Sequence, residues 1–354
     1  MSDTGGAVGR LQRWFLPASI ALLVLAGAVV PLPAFIEQPG VAAGIAGCVA
    51  IDERPAAAVN GDYLFTTVSQ RNATVFELLL AGIREDQRVV ARDDLLGGVR
   101  RDRYLQRQRQ VFIDSTDRAI VVALAAAGLP VEVRGGGVDV VEVLDGTPAD
   151  GVLQPGDVIT AVDGTQVRTD DELIAAITDE RPIELRVRRD GADQVEVVTP
   201  RSEELDDARR PMIGVRITTH RPRVRTPLAV DVASGRVGGP SAGLMVGLAV
   251  FDLVDEVDLA RGRRIAGTGT LALDGRVGAI ANIALKVPAA AREGADVFVA
   301  PAGQAAVARD AVPAGSDLRV LGVDTFDEAR AALADGDAAA HATTTQRCRY
   351  RPDA

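Results

Sequence analysis

The chain has 354 residues, more than one ordinary domain needs, and its 47% hydrophobic content excludes disorder along most of it. Its formal net charge of −10 excludes nucleic acid as the main partner, because binding phosphates needs a basic face. Two cysteines, Cys48 and Cys348, exclude a disulfide-dense scaffold and a multi-cysteine metal site.

From Trp14 to Ile36 no residue is charged, and Arg10 and Arg13 precede the run. About 20 apolar residues suffice to span a bilayer. Residues 14–36 are therefore expected to form a single transmembrane helix, with 1–13 in the cytoplasm and the bulk of the chain outside it. Pro31 and Pro33 are expected to end or kink it. A cleaved signal peptide is the rival reading, and the length of the run favours the anchor. Residues 37–127 begin with a Gly-, Ala- and Pro-rich tether at 38–58. A strand over 62–68, a helix over 75–83, a basic helical run from Arg100 to Arg109 and an apolar helix over 119–127 follow.

Residues 128–201 read as a compact unit of strand, turn, helix and two strands. Gly146-Thr-Pro-Ala149, Pro155-Gly-Asp-Val-Ile159 and the turn at Asp163-Gly164 give it a signature that resembles a bacterial PDZ domain. The resemblance implies a small β-sandwich or barrel with helices. It also implies binding of extended peptides, often free C-termini, by strand addition. The carboxylate-binding loop is expected near Gly128-Leu-Pro-Val131.

Ser202 to Arg210 is a charged linker, residues 211–340 alternate strand and helix, and 341–354 is a loose tail. Gly238-Gly-Pro-Ser-Ala-Gly243 leads into an apolar helix, so Ser241 sits at its positive end, either as a cap or beside N–H groups able to hold an oxyanion. Lys286 is the one lysine among 39 basic residues. Arginine serves for surface charge but cannot give up its proton, so a lone lysine is either an accident or a position that must deprotonate. It is followed by Val287, which excludes a phosphate-binding loop ending in Gly-Lys-Ser/Thr.

The Gly-Pro-Ser-Ala-Gly turn, the segment Thr268-Gly-Thr-Leu-Ala-Leu-Asp-Gly-Arg-Val277, Lys286 on a helix ending in Gly294, and a strand ending in Pro301 together resemble the proteolytic domain of Lon proteases. The resemblance implies Ser241 as nucleophile, Lys286 as general base, and Thr268 and Gly239 in support. ATP-dependent relatives carry an aspartate three residues before the serine, where Gly238 stands here. Ile283, Ala284, Leu285 and Val287 surround Lys286 with apolar chain, a setting that lowers an amine's pKa.

The expected fold class is α+β: a transmembrane helix, a PDZ domain and a Lon-type α+β proteolytic domain. The whole resembles the membrane-anchored PDZ–Lon-domain proteins of bacteria. That implies an ATP-independent serine endopeptidase in the cell membrane, acting on protein or peptide substrates, with PDZ recruiting or gating them. No cofactor, metal or nucleic acid is expected, and a hexameric ring is implied by the resemblance alone. Two other readings stay open: a membrane-anchored PDZ scaffold with an inactive Lon-like domain, and a Ser-His-Asp hydrolase using His220.

Overall fold

The computed structural model describes positions 19 and 25 and residues 27–336, apart from 53, 56–58, 85, 206–207, 221–222, 234, 236 and 256. Most of the expected transmembrane run lies outside the described residues. Among the described residues no helix is long and apolar enough to cross a membrane. The outer end of the run differs from expectation. Ala34, Phe35 and Ile36 open a strand, with Phe35 and Ile36 buried in a sheet and Pro31 and Pro33 just before it.

The expected tether is corrected too. Strands β1 (Ala34–Gly44), β2 (Val49–Ile51) and β3 (Arg54–Pro55) occupy it, and Cys48, buried between β1 and β2, is disulfide-bonded. Cys348 lies outside the described residues. Next come β4 (Asp62–Asn72), helix α1 (Val75–Ala81), β5 (Arg88–Ala91), α2 (Arg92–Leu96) and α3 (Arg101–Ala126). The basic and apolar runs expected as separate helices are thus one helix. Its side at Phe112, Ser115, Thr116, Ala119, Ile120, Ala123 and Leu124 is buried, the three- and four-residue spacing of a helix packed on a core.

The PDZ region contains β6 (Glu132–Arg134), β7 (Val138–Val143), β8 (Val158–Val162), β9 (Thr165–Gln166), α4 (Asp170–Ala176), β10 (Ile183–Arg189) and β11 (Ala192–Val198). The expected linker is instead an antiparallel hairpin of β12 (Arg201–Leu205) and β13 (Ala208–Met212). The following strand, β14 (Val215–Thr219), pairs antiparallel with β7, giving the order β11-β10-β8-β7-β14. Ile213, Val215 and Ile217 pack into this unit's own core with Val140, Ile159 and Leu185. The PDZ unit therefore runs past residue 201 to Thr219, because that strand's apolar side chains pack, partly buried, against this core. Strand β15 (Arg223–Arg225) then returns beside β6, and β16 (Val230–Val232) beside β2.

A 3-10 turn, Pro240–Ala242, enters α5 (Gly243–Asp255). After it come β17 (Arg264–Gly267), β18 (Thr270–Leu271), β19 (Val277–Gly278), α6 (Ile283–Arg292), β20 (Val297–Pro301), α7 (Ala305–Asp310), β21 (Arg319–Val323) and α8 (Phe326–Ala334). The main sheet has the order β21-β20-β17-β4-β1-β5, with β17 parallel to both β20 and β4. Alternation along the strands sends Tyr63, Phe65, Ile265 and Val299 to a core shared with α3 and α5. It sends Leu64, Ala266 and Phe298 to another core, shared with α6 and α7. Residues before and after the PDZ unit thus build one three-layer body, and the PDZ unit is inserted in it.

Candidate active site

The site lies where α5, α6 and the segment from β17 to β18 meet. Gly239 has φ +89°, a conformation that glycine adopts without strain, and it turns the chain into Pro240. Pro240 suits the first helical turn, where an N–H would have no intrahelical partner. Ser241 follows, half-buried, at the mouth of an α5 buried over most of its length.

Helix α3 braces this turn. The Gly239 N–H donates to Gln108 O at 2.9 Å, and the buried Ser115 hydroxyl donates to Pro240 O at 2.8 Å. The approach is close: a β-carbon on Gly238 would stand 2.9 Å from Gln108 Cβ, and one on Gly243 would stand 2.7 Å from Ser115 Oγ. These two glycines leave room for a helix of the same protein. The space an aspartate at 238 would need is filled by α3.

The segment after β17 holds the other side. The Gly269 N–H donates to Ser241 O, and the Leu244 N–H donates to Gly269 O. Thr268, fully buried, donates its hydroxyl proton to Ser241 O at 3.0 Å. Lys286 projects from α6 with Nζ 2.9 Å from Thr268 Oγ1 and 2.6 Å from Ser241 Oγ. The Thr268 proton is committed to Ser241 O, so its oxygen accepts from Lys286. When the amine is neutral, its lone pair is left for the Ser241 hydroxyl. Lys286 is 4% exposed on a helix whose Leu285, Val287, Ala289 and Ala290 are buried too. That burial lowers its pKa from the usual value to about 7.

The structure brings Ser241, Lys286, Thr268 and Gly239 together. It places His220 elsewhere, at the end of β14, with Nδ1 2.6 Å from Asp139 Oδ1 of β7. Gly128, at φ +74°, ends α3, and Leu129 and Val131 pack on the protease-side core. Among the described residues no three His, Cys, Asp or Glu side chains are grouped to hold a metal ion. Gln108 and Ser115 were not expected at the site. A buried hydroxyl on a helix rich in Arg and Gln marks them only once the packing is known.

Comparison with known families matches residues 125–198 to the PDZ domain and residues 221–333 to the Lon protease (S16) C-terminal proteolytic domain, with no ATPase domain. The second match makes the chain a serine-type peptidase. Neither match includes β1 or β4, which complete the protease sheet, or the part of α3 that braces its serine. No curated protein matches the chain. Among solved structures, the PDZ domain of the SdrC-like protein of Listeria monocytogenes is 25% identical. It covers 23% of this chain and 87% of its own, with a TM-score of 0.22. The corresponding domain from Listeria innocua is 24% identical, covering 24% and 97%, with a TM-score of 0.22. A solution structure from Geobacillus thermodenitrificans is 26% identical, covering 19% and 80%, with a TM-score of 0.18.

Proposed function

For a chain that joins a PDZ domain to a Lon-type serine peptidase domain, we propose an ATP-independent endopeptidase in which Ser241 is the nucleophile and Lys286 its general base. The observation that carries the assignment is the 2.6 Å contact between Lys286 Nζ and Ser241 Oγ, made by an amine whose pKa burial has brought to about 7. Neutral Lys286 takes the hydroxyl proton as Oγ attacks the peptide carbonyl. The negative oxygen that forms is stabilised by the positive end of α5, where the turn that carries Ser241 enters the helix. Lys286 then gives the proton to the leaving amine, and the acyl group stays on Ser241. A water molecule, deprotonated by the same amine, attacks that ester and frees the second product.

Independence from ATP is supported by a sequence with no phosphate-binding loop, its single lysine being Lys286. A position outside the cytoplasmic membrane is supported by the uncharged run at 14–36 behind Arg10 and Arg13. The PDZ unit supports substrate recruitment. It offers sheet edges at β11 and β14, and after β14 the chain passes through β15 and β16 to the turn that carries Ser241. The test is labelling with a peptide boronate, followed by mapping of the adduct. An adduct on Ser241 that is lost in Lys286→Arg is expected. An adduct elsewhere, or none on a folded protein that cleaves peptides, rejects the dyad.

A further inference from the structure

Helix α1 carries a single polar side chain, Glu77. Glu77 is used locally: it closes a capping box with Thr74 and pairs with Arg71. Leu78 and Ala81 pack on the sheet with Ile36 and Ala73. The rest of the helix faces outward with no less apolar character. Val75, Phe76, Leu79 and Leu80 are exposed, as is Ile83 just after them, with Leu79 at 64% and Ile83 at 81%. A helix that is apolar on all sides belongs in a core or in lipid, and a contiguous apolar patch marks a contact surface.

The neighbouring chain says which contact. Leu25, Val29 and Val30, within the uncharged run, are exposed as well. Gly27 lies against the helix: a β-carbon there would stand 3.4 Å from Phe76 Cε2 and 3.7 Å from Val75 Cβ. The Leu32 N–H donates to Ala73 O, and the Arg92 N–H donates to Pro33 O, so the run leaves the body at the first turn of α1. The exposed face thus adjoins the described part of the run at Gly27. Exposed charges near it are of both signs, with Arg84 and Arg92 against Asp86, Asp93 and Asp94. Net charge therefore gives it no preference for anionic lipid.

We propose that α1 and Ile83 lie in the outer interface of the bilayer entered by the run, so that the protease rests on lipid through this face. The inference depends on the reading of residues 14–36 as a membrane anchor, and the test separates the two. The full chain is reconstituted in phosphatidylcholine vesicles whose acyl chains are brominated near the headgroup. Trp14, the only tryptophan, reports on the run in the unaltered chain. Leu79→Trp in a Trp14→Phe background reports on α1, with Ile83→Trp as a second probe and a thermal melt as the fold check. Both probes are expected to emit at short wavelength and to be quenched at least about twofold. Quenching should be unchanged by about 0.5 M salt or by added phosphatidylglycerol, because contact with hydrocarbon, unlike surface charge, is not screened. Quenching of Trp14 with a water-exposed, unquenched probe at 79 and 83 overturns the inference and leaves the anchor standing. Trp14 unquenched overturns the anchor. Probes at 79 and 83 that are blue-shifted but unquenched, in an assembly larger than one chain, overturn the inference by assigning the face to a second copy.

Discussion

Lys286 ties both activity and stability to pH, and both fall toward acid. Its neutral form is the base, so kcat/KM should fall about tenfold per pH unit below about 7 and level off above it, measured with a short fluorogenic peptide. Stability follows from linkage. The unfolded chain binds this proton up to about 10.5 and the folded chain only up to about 7, so folding is disfavoured at low pH and the penalty fades across that window. Lys286→Met should therefore be inactive yet melt higher than the natural chain at pH 6. That advantage should shrink toward pH 10, the whole effect being roughly 5 kcal/mol at 1.36 kcal/mol per pH unit. Equal melting at both pH values would mean that the amine is hydrated. Thr268→Val removes both a donor to Ser241 O and the acceptor that orients Lys286. We expect kcat to drop about ten- to a hundredfold with KM little changed, and Thr268→Ser to restore most of it. Ser241 and Lys286 were legible in the sequence because one is the serine of a glycine-rich turn and the other the only lysine. Their 2.6 Å separation was not, since it depends on how α6 packs on the sheet.

At the scale of elements, α3 is the part that reading along the chain missed. Its first half is Arg- and Gln-rich and looks like a solvated helix, and its second half looks like an unrelated apolar one. What joins them is one continuous side, half-buried at Tyr104 and Gln108 and buried from Phe112 onward, that sets Gln108 and Ser115 against the nucleophile turn. Ser115→Ala removes the side-chain donor to Pro240 O, leaving only the Gly243 N–H, and should lower kcat several-fold, while the melting temperature falls by only a few degrees. Gly238→Asp should be far worse. Its side chain must displace Gln108, and activity on short peptides should be lost even though Ser241 and Lys286 are intact. Full activity of the Asp variant would show that α3 can retreat and that its contact does not shape the turn. Between β17 and β18 the chain turns toward the site: the Thr268 N–H still donates to Val299 O of β20 while its hydroxyl reaches Ser241 O, and the Gly269 N–H leaves the sheet for Ser241 O. A site feature thus interrupts the regular pattern that the sequence suggested.

For the whole molecule, the PDZ unit enters and leaves through neighbouring strands. Arg134 of β6 stands opposite Arg223 of β15. Deleting only 128–200 would strand β14 and unmake that ladder. Replacing 135–222 with a two-residue Asn-Gly turn is the sound excision. The shortened chain should keep its fold and its cleavage of short peptides while cleaving unfolded proteins more slowly, since recruitment helps only substrates long enough to reach both sites. Unchanged rates on both substrates would leave PDZ without a role in proteolysis. The PDZ signature was legible because its turns are local. The insertion was not, because pairing between β4 and β17 joins segments on either side of it, with Thr66 donating to Gly267 O across 201 positions. That pairing also sets a timetable. As the chain is made, β4 presents Tyr63, Leu64 and Phe65 on an open sheet edge until β17 arrives about 200 residues later, a wait of roughly 10–40 s at ordinary rates of synthesis. The PDZ unit can be complete by then while the hydrolytic pair is still unborn. The growing chain passes through a stage in which it has its recruiting unit but cannot yet cut, and in which its greatest hazard is its own unpaired strand.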